Sequence, residues 1–333
     1  MSTNRTSIAG HPCARALLLF AAALTPAIAR AEQSPPPPSA SDGFHWDDQT
    51  NQRALNGHYF LPSQVVPDPF TTTHFGSSTA FGYGRIDATI DNGDGTTQNL
   101  RLKLLAIQQS LDLQVGMGAA GPASFALRVR TSANAVVGVN GDSALYAPAN
   151  LGYDYGVGFV AKPWGCRYFQ FALSLDFLRS TSYRVSPVDA LRNSLAQGSL
   201  TSSGLLSKSN TTDLAPGLSL ALSPYKVIGL MSSLRYVWEH VDGGSTDHLL
   251  DWGVALSLDL NPVLSVPIGL QGVYELVKTY GGSNDLQHYG GGGLWYTGRK
   301  DLALGVEAVA TKSKANGNDQ LLIQGQFRLR YYW

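Results

Sequence analysis

The side chains best suited to nucleophilic chemistry are histidines and serines in the C-terminal third of the chain. His240 and His248 flank a short polar stretch that contains Ser245, and His288 follows Ser283 in the next such stretch. A hydrolase needs a nucleophile and a base within hydrogen-bonding reach of each other. Because no strand-like segment carries a histidine and a serine at alternate positions, we predict that the chain is not an enzyme.

A metal site is the second chemistry that this region allows. His240, Asp242, Asp247 and His248 are residue types that bind divalent cations. The same composition is ordinary in a polar turn, where carboxylates and imidazoles are simply solvated. We therefore predict neither a metal nor any other cofactor.

A different set of charged residues recurs at every second position of apolar segments. Successive side chains of a strand point to opposite faces, so apolar residues on one face leave the charged residues on the other. The ten residues of this kind are Arg128, Arg130, Asp154, Asp176, Arg235, Asp251, Glu275, Glu307, Arg328 and Arg330. If the strands enclose a lumen, these residues line it and set its selectivity.

The last fourteen residues, QLLIQGQFRLRYYW, show this alternation most clearly. One face holds Leu321, Ile323, Gly325, Phe327, Leu329, Tyr331 and Trp333. The opposite face holds mostly glutamine and arginine, and the chain ends on three aromatic residues. The pattern predicts a strand with one apolar and one polar face.

This ending resembles the closing strand of a Gram-negative outer-membrane β-barrel, which typically ends in an aromatic residue after alternating apolar positions. The usual last residue of such strands is phenylalanine, whereas this chain has Trp333. The resemblance is one of pattern over residues 71–333 and includes no motif of a single family. It implies an all-β, transmembrane, antiparallel up-and-down barrel in the outer membrane. It also implies that Phe327, Leu329, Tyr331 and Trp333 form the signal read by the barrel-assembly machinery.

The N-terminus is consistent with export. Arg5 and Arg15 precede an apolar run at 16–24, and small residues at 29–31 offer a cleavage site, which predicts a signal peptide over residues 1–31. The segment 32–70 begins near four consecutive prolines and has no clear period, so we expect a periplasmic segment. We favour a tail ordered against the barrel mouth over a plug threaded into the lumen.

The alternating segments number about twelve, and the connections between them support that count. Counted back from the C-terminus, short connections alternate with longer ones, as expected when short turns are periplasmic and long loops extracellular. An even number of strands then places both termini in the periplasm. Aromatic residues near the strand ends predict two girdles, with Trp164, Tyr225, Trp295 and Tyr331 among those at the inner end.

Two further expectations concern the first strands. The segment 99–115 loses its alternation near Ile107, which suggests a bulge there. With that register Arg101 and Lys103 join Arg128, Arg130, Arg328 and Arg330 on a basic wall of the lumen. The acidic residues of the remaining strands would form an opposite wall, and the field between the walls would orient zwitterions.

Composition and architecture limit the function. Lys+Arg and Asp+Glu are balanced at 24 each, so nucleic acid is not an expected partner. Known twelve-stranded barrels include nucleoside-type channels, autotransporter translocators and a phospholipase, so the architecture alone does not fix the function. Expected partners are outer-membrane lipids, the barrel-assembly machinery and small solutes.

We predict a narrow diffusion channel for small polar or zwitterionic solutes. The main alternative is a non-conducting structural or adhesive barrel. A lipid-modifying hydrolase at the outer rim is less favoured, because it would rely on the histidines and serines discussed above.

The longest predicted extracellular loop carries a helix signal. Ser186 and Pro187 suit the start of a helix, and Val188, Leu191 and Leu195 recur at helical spacing, which predicts a short helix over 187–197. We expect this helix to cap the mouth, so deleting residues 187–204 should leave the conductance in planar bilayers unchanged. A helix folded inward as a constriction would be removed by the same deletion, and the conductance would rise.

Overall fold

The computed structural model describes residues 53–91, 96–120, 123–139, 149–185, 206–244, 246–280, 285–315 and 318–333. Two short strands come first, β1 (Ala54–Leu55) and β2 (His58–Tyr59). The long strands are β3 (His74–Asp91), β4 (Thr97–Ala120), β5 (Ala123–Gly138), β6 (Asn150–Gly165), β7 (Phe169–Val185), β8 (Leu206–Tyr225), β9 (Ile228–Val241), β10 (Thr246–Asp259), β11 (Ile268–Tyr280), β12 (Leu286–Tyr296), β13 (Leu302–Ala315) and β14 (Asn318–Tyr332). One short helix, α1 (Asn261–Leu264), lies between β10 and β11.

The twelve long strands of the described chain form a closed antiparallel barrel, which confirms the predicted fold class. Each strand pairs with its neighbours in sequence. The last strand, β14, closes the sheet on β3, with partners from Asp319 opposite Asp87 to Tyr332 opposite His74. Closure leaves no strand edge, which matters because unpaired backbone groups cannot be satisfied by lipid.

The outer face of the barrel is an apolar belt. Leucine, valine and aromatic side chains occupy alternate positions of every strand and remain exposed, as Phe81, Val157, Leu175 and Phe327 do. A soluble protein would not expose so much contiguous apolar surface, whereas a barrel surrounded by lipid requires it. In the part of the chain that the structure describes, no helix is long and apolar enough to cross a membrane.

The two ends of the barrel differ in their connections. At the end that carries Trp333 the connections are 121–122, 166–168, 226–227, 260–267 and 297–301, and at the opposite end they are 92–96, 139–149, 186–205, 242–245, 281–285 and 316–317. We call these the terminal end and the distal end. The longest connection is distal, as expected, and α1 lengthens one terminal-end connection that the sequence predicted to be short. The signal peptide and the helix predicted over 187–197 lie outside the described residues.

The prediction of a bulge near Ile107 is wrong. Strand β4 pairs without interruption with β3 and β5 through this residue, and its register shifts only between Gly116 and Ala119. Arg101 and Lys103 therefore face outward at the distal end, because Leu102 is the residue that points into the lumen and is buried there. At this position the apolar residue lies on the inner face and the charged residues lie on the outer face, which is the reverse of the pattern that the sequence prediction assumed.

One predicted girdle residue is also misplaced. Trp295 is only 2% exposed and faces the lumen, while its neighbours Leu294 and Tyr296 face outward. The run Gly290–Gly293 offered no alternation from which the register of β12 could be read. Trp295 lies under the Arg328 guanidinium, whose central carbon is 5.7 Å from the ring centroid.

Residues 53–73 lie inside the barrel, and we call this segment the plug. It begins with a hairpin in which Asn56 and Gly57 adopt φ values of 51° and 81°, as the first and second residues of a type I′ turn do. The hairpin is held at the terminal end by His58, whose Nε2 lies 2.8 Å from Ser257 Oγ. Arg53 donates to the carbonyl of Lys300 and lies over the ring of Tyr332.

An apolar row of the barrel wall receives the plug. Its members are inward-facing partners on six consecutive strands, namely Ala221, Met231, Ala255, Val273, Gly291 and Val309. Leu55, Phe60, Val65, Val66 and Phe70 of the plug are buried in one cluster with the apolar side chains of this row. Burying a side chain of this size contributes about 1.5–3 kcal/mol, so the row anchors the plug.

The irregular backbone of the plug receives hydrogen bonds from glutamines of the wall. Gln114 donates to the carbonyls of Phe70 and Thr72. Gln170 donates to the carbonyl of Pro69, and Gln271 donates to that of Leu61. Buried carbonyls outside regular structure need such donors, so these glutamines hold the plug in one position.

Candidate functional site

A cavity of about 290 Å³ lies between the plug and the wall formed by β14 and β3–β6. The plug side is formed by Ser63, Gln64, Pro67 and Asp68. The wall side includes His74, Ser78, Gln108, Ser110, Asp112, Gln114, Arg128, Arg130, Ser132, Asp154, Arg328 and Arg330, with Arg235 from β9. Its size, at the lower limit of ligand pockets, suits a small solute.

The polar wall has a regular origin in the strand register. Arg328, Ser78, Ser110, Ser132 and Asp154 are successive partners across β14, β3, β4, β5 and β6, and all of them face the lumen. Ser78 and Ser110 share a hydrogen bond of 2.6 Å, and Ser132 donates to Asp154 at 2.6 Å. The polar row thus lies opposite the apolar row that holds the plug.

Glycines let charged residues pair across an intervening strand. Arg128 on β5 and Asp176 on β7 are both partners of Gly158 on β6, and an Arg128 Nη atom donates to the two carboxylate oxygens at 2.7 and 2.9 Å. A methyl group at position 158 would overlap the Asp176 carboxylate. Gly158 therefore provides the space that this ion pair occupies.

The same arrangement recurs at two other places in the wall. Gly76 lies between Arg330 and Asp112, whose charged groups are 3.3 Å apart. Gly305 lies between Arg328 and Trp295. In each case a side chain on the glycine would overlap one of the interacting groups.

The ten charged residues singled out by alternation all face the lumen, and the structure brings nine of them, all but Asp154, into small ion-pair groups. Arg128 and Arg130 share Asp176, with Arg130 at 3.8 Å. Arg235 pairs with Asp251 and lies 3.6 Å from Glu275. Arg328 pairs with Glu307 at 3.3 Å, and Arg330 pairs with Asp68 of the plug at 3.0 Å.

The predicted segregation into a basic wall and an acidic wall is wrong. Each of the five arginines named above has a carboxylate on a nearby strand or on the plug, so the positive charges are interspersed with negative ones. Two of the expected basic residues, Arg101 and Lys103, are on the outer face. In a low-dielectric wall, opposite charges must be close to offset the loss of hydration.

Arg130 and Asp154 are the least compensated charges of the cavity. The Arg130 side chain is 37% exposed, compared with 6% for Arg128, and its carboxylate partner is at the long distance of 3.8 Å. Asp154 accepts a hydrogen bond from Ser132, and no basic side chain among the described residues lies within 4.0 Å of it. Arg130 and Asp154 are diagonal neighbours on β5 and β6, since Arg130 pairs with Gly156. Such neighbours have Cα atoms roughly 7–8 Å apart.

Three residues of the site were missed in the sequence. Asp112 of β4 was not among the charges that the sequence placed in the lumen. Asp68 falls in the segment that we expected to form a tail ordered against the barrel mouth, whereas the structure has it inside the barrel, where it caps the plug backbone at Phe70 and pairs with Arg330. His74 begins β3 and contacts Asp112 at 2.9 Å, which the alternation of β3 does not reveal.

The histidines considered for catalysis or metal binding face outward near the distal end. His240 contacts Thr246, His248 contacts Tyr236, and His288 contacts Tyr274. Hydrogen bonds from Asn210 and Arg179 lower the pKa of Asp242. The described residues contain no group of three potential ligands close enough to hold a metal ion. Ser245 and Ser283 lie outside the described residues.

The four residues of the predicted assembly signal share the outer face of β14. Phe327, Tyr331 and Trp333 are exposed on the apolar belt, and Leu329 is half-buried between them. Tyr331 and Trp333 stack with ring centroids 6.0 Å apart at the terminal end. Their recognition by the assembly machinery stays a prediction.

Comparison with known proteins finds barrels of the outer membrane. No family model matches the chain, and no curated protein matches it. Among solved structures, it is similar to the translocator domain of the autotransporter NalP from Neisseria meningitidis, with 10% identity over 79% of this chain and 89% of that one and a TM-score of 0.46. An outer-membrane channel from Pseudomonas putida F1 is 10% identical over 82% and 100%, with a TM-score of 0.49. The Pseudomonas putida toluene transporter TodX is 9% identical over 85% and 97%, with a TM-score of 0.40. These likenesses concern the barrel fold alone.

The glycine spacing in the wall makes a direct prediction. Gly158→Ala should break the pair of Arg128 and Asp176 and leave both charges buried, which lowers the stability of the barrel by about 3–5 kcal/mol. Urea unfolding of the refolded protein, followed by tryptophan fluorescence, measures this loss. Gly325→Ala is the matched control, because nothing lies within 4 Å of a methyl group there. Equal stability of the two variants would contradict this role of Gly158.

Proposed function

We propose that this chain is an outer-membrane channel for small polar solutes, zwitterions in particular, and that the plug closes its lumen at rest. The observation that carries the proposal is the polar cavity between plug and wall, where Arg130 and Asp154 remain incompletely compensated. A channel needs such a site to be attractive enough for entry and weak enough for release.

A zwitterion matches the pair of charges in sign. The Arg130 guanidinium suits a carboxylate, because its planar array of donors can bind both oxygens. Asp154, with Ser132 beside it, suits an ammonium group. The remaining charges of the cavity pair with one another, so they contribute a polar surface but few free binding groups.

The plug makes a resting closed state the natural expectation. It is anchored by an apolar cluster on one side and by the pair of Asp68 with Arg330 on the other. A non-conducting structural barrel, in which the plug never leaves, would have the same packing. The two functions differ in what happens when the plug is displaced.

Displacing the plug should open the lumen. Phe60→Asp with Val66→Asp places two charges in the apolar cluster, which costs several kcal/mol and favours expulsion of the plug without changing any barrel strand. Single-channel recording in planar bilayers should show a larger and more frequent conductance than in the wild type. Phe60→Leu with Val66→Ala is the control, because it keeps the cluster apolar. Silence of the folded double-aspartate variant would support the non-conducting barrel.

Solute preference should follow the two uncompensated charges. Alanine, propionate and ethylamine have a similar size and carry both charges, only the negative charge or only the positive charge. Titration calorimetry with the refolded protein should show the tightest binding for alanine. Arg130→Gln should remove the advantage of alanine over ethylamine, and Asp154→Asn should remove its advantage over propionate, each by roughly tenfold.

Controls for this test lie in an exposed turn at the terminal end. Arg299→Gln and Asp301→Asn make the same charge changes outside the cavity, so the binding of all three solutes should stay at the wild-type level. Equal affinity of the wild type for the three probes would contradict zwitterion selection, while the conductance experiment would still decide whether the barrel is a channel.

A further inference from the structure

One sector of the outer face at the distal end carries an array of basic side chains. It spans β11–β14, β3 and β4 and comprises Lys278, Lys312, Lys314, Arg85, Arg101 and Lys103. We call it the basic sector. The register places all six at outward-facing strand positions, the same alternate positions that the apolar belt occupies, so none of them faces the lumen.

The register also fixes how the six cations are arranged. Lys312, Leu321, Arg85 and Lys103 are successive partners on β13, β14, β3 and β4. Two residues further toward the distal end, the corresponding row runs through Lys278, Leu286, Lys314, Asp319, Asp87 and Arg101. With strands about 4.8 Å apart, the first row alone spans roughly 14 Å.

The sector keeps a positive excess. Among the side chains that the structure describes there, the six basic residues face two carboxylates, Asp87 and Asp319, and Asp87 already pairs with Arg85 at 3.0 Å and Arg101 at 2.9 Å. Lys312 and Lys314 are exposed and have no carboxylate within ion-pair distance among the described side chains. The two lysines are therefore available to an external anion.

The depth of the sector points to the lipid headgroups. Two residues closer to the middle of the barrel, the next outward row consists of Ala310, Ile323, Tyr83 and Leu105. The last three of these are exposed members of the apolar belt. The cations thus begin where the apolar belt ends. A lipid whose chains cover that belt would bring its headgroup to the basic sector.

The rest of the distal circumference has a different character. Its outward positions include the aromatic residues Tyr153, Tyr183 and Trp238, and the Arg179 guanidinium there is paired with Asp242 at 2.6 Å. Lys208 lies over the ring of Tyr183, as Lys278 of the basic sector lies over the ring of Tyr280, and no further basic side chain is grouped with Lys208 among the described outward positions. The concentration of basic side chains is therefore a property of one sector and not of the whole rim.

We propose that the basic sector binds the phosphorylated headgroup of a lipid in the leaflet that surrounds the distal end. Ammonium groups bind phosphate as compact charges, and the neighbouring apolar belt holds the acyl chains. With the termini in the periplasm, as the sequence predicts, this leaflet is the outer one. The site is independent of the lumen and of any solute that passes through it.

Native mass spectrometry of the refolded protein in micelles tests the site. The probes are phosphatidic acid, which has a phosphate monoester, and phosphatidylcholine with the same acyl chains. The wild type should retain phosphatidic acid preferentially. Lys278→Gln with Lys312→Gln and Lys314→Gln should lower this retention roughly tenfold, since the three lysines are exposed and their removal leaves the strands intact.

A matched triple variant separates this site from general charge. Lys208→Gln, Lys226→Gln and Lys300→Gln remove the same charge outside the basic sector and should retain phosphatidic acid as the wild type does. Equal loss in both triple variants, or no loss in the first, would overturn the proposal. Displacement of phosphatidic acid by an equal concentration of inorganic phosphate would indicate a site for the free anion and would also overturn it.

Discussion

Closure of the sheet between β14 and β3 is the constraint on which the rest of this structure depends. A strand edge in lipid would leave a row of backbone donors and acceptors without partners, and the pairing from Asp319 with Asp87 to Tyr332 with His74 removes that edge. Once the sheet is closed, every strand has an inside and an outside. Each side chain is then assigned to lipid or lumen by its position alone.

Closure also creates an interior that must be filled or hydrated. This lumen is divided into an apolar row on β8–β13 and a polar row on β14 and β3–β6. The plug packs on the apolar row because its own apolar side chains would otherwise remain in water. Packing apolar side chains on the polar row would cost free energy, because the polar groups would lose their hydration. The cavity therefore forms on that side.

Charges inside the barrel are stable because small residues let them reach one another. Gly158 and Gly76 leave room for pairs that cross a whole strand, and a larger residue would separate the partners. A buried pair that loses one partner is costly, so the paired arginines have little freedom to act on a solute. Arg130 is different because its carboxylate partner is 3.8 Å away and its side chain is the most exposed of the five lumen arginines that form ion pairs.

The sequence by itself determined the barrel, because period-2 alternation is a local property that needs no knowledge of distant contacts. It also identified the ten lumen charges and the outer face of β14. It did not determine which charges pair, since Arg128 and Asp176 are brought together only by the register of three strands. Ala221, Met231 and Val273 were apolar residues at inward positions, a signal that the lumen holds apolar material, and Asn56-Gly57 was a hairpin signal. Only the tertiary structure joined these two signals, because the position of the plug depends on contacts between residues that are 199 to 266 positions apart in the chain.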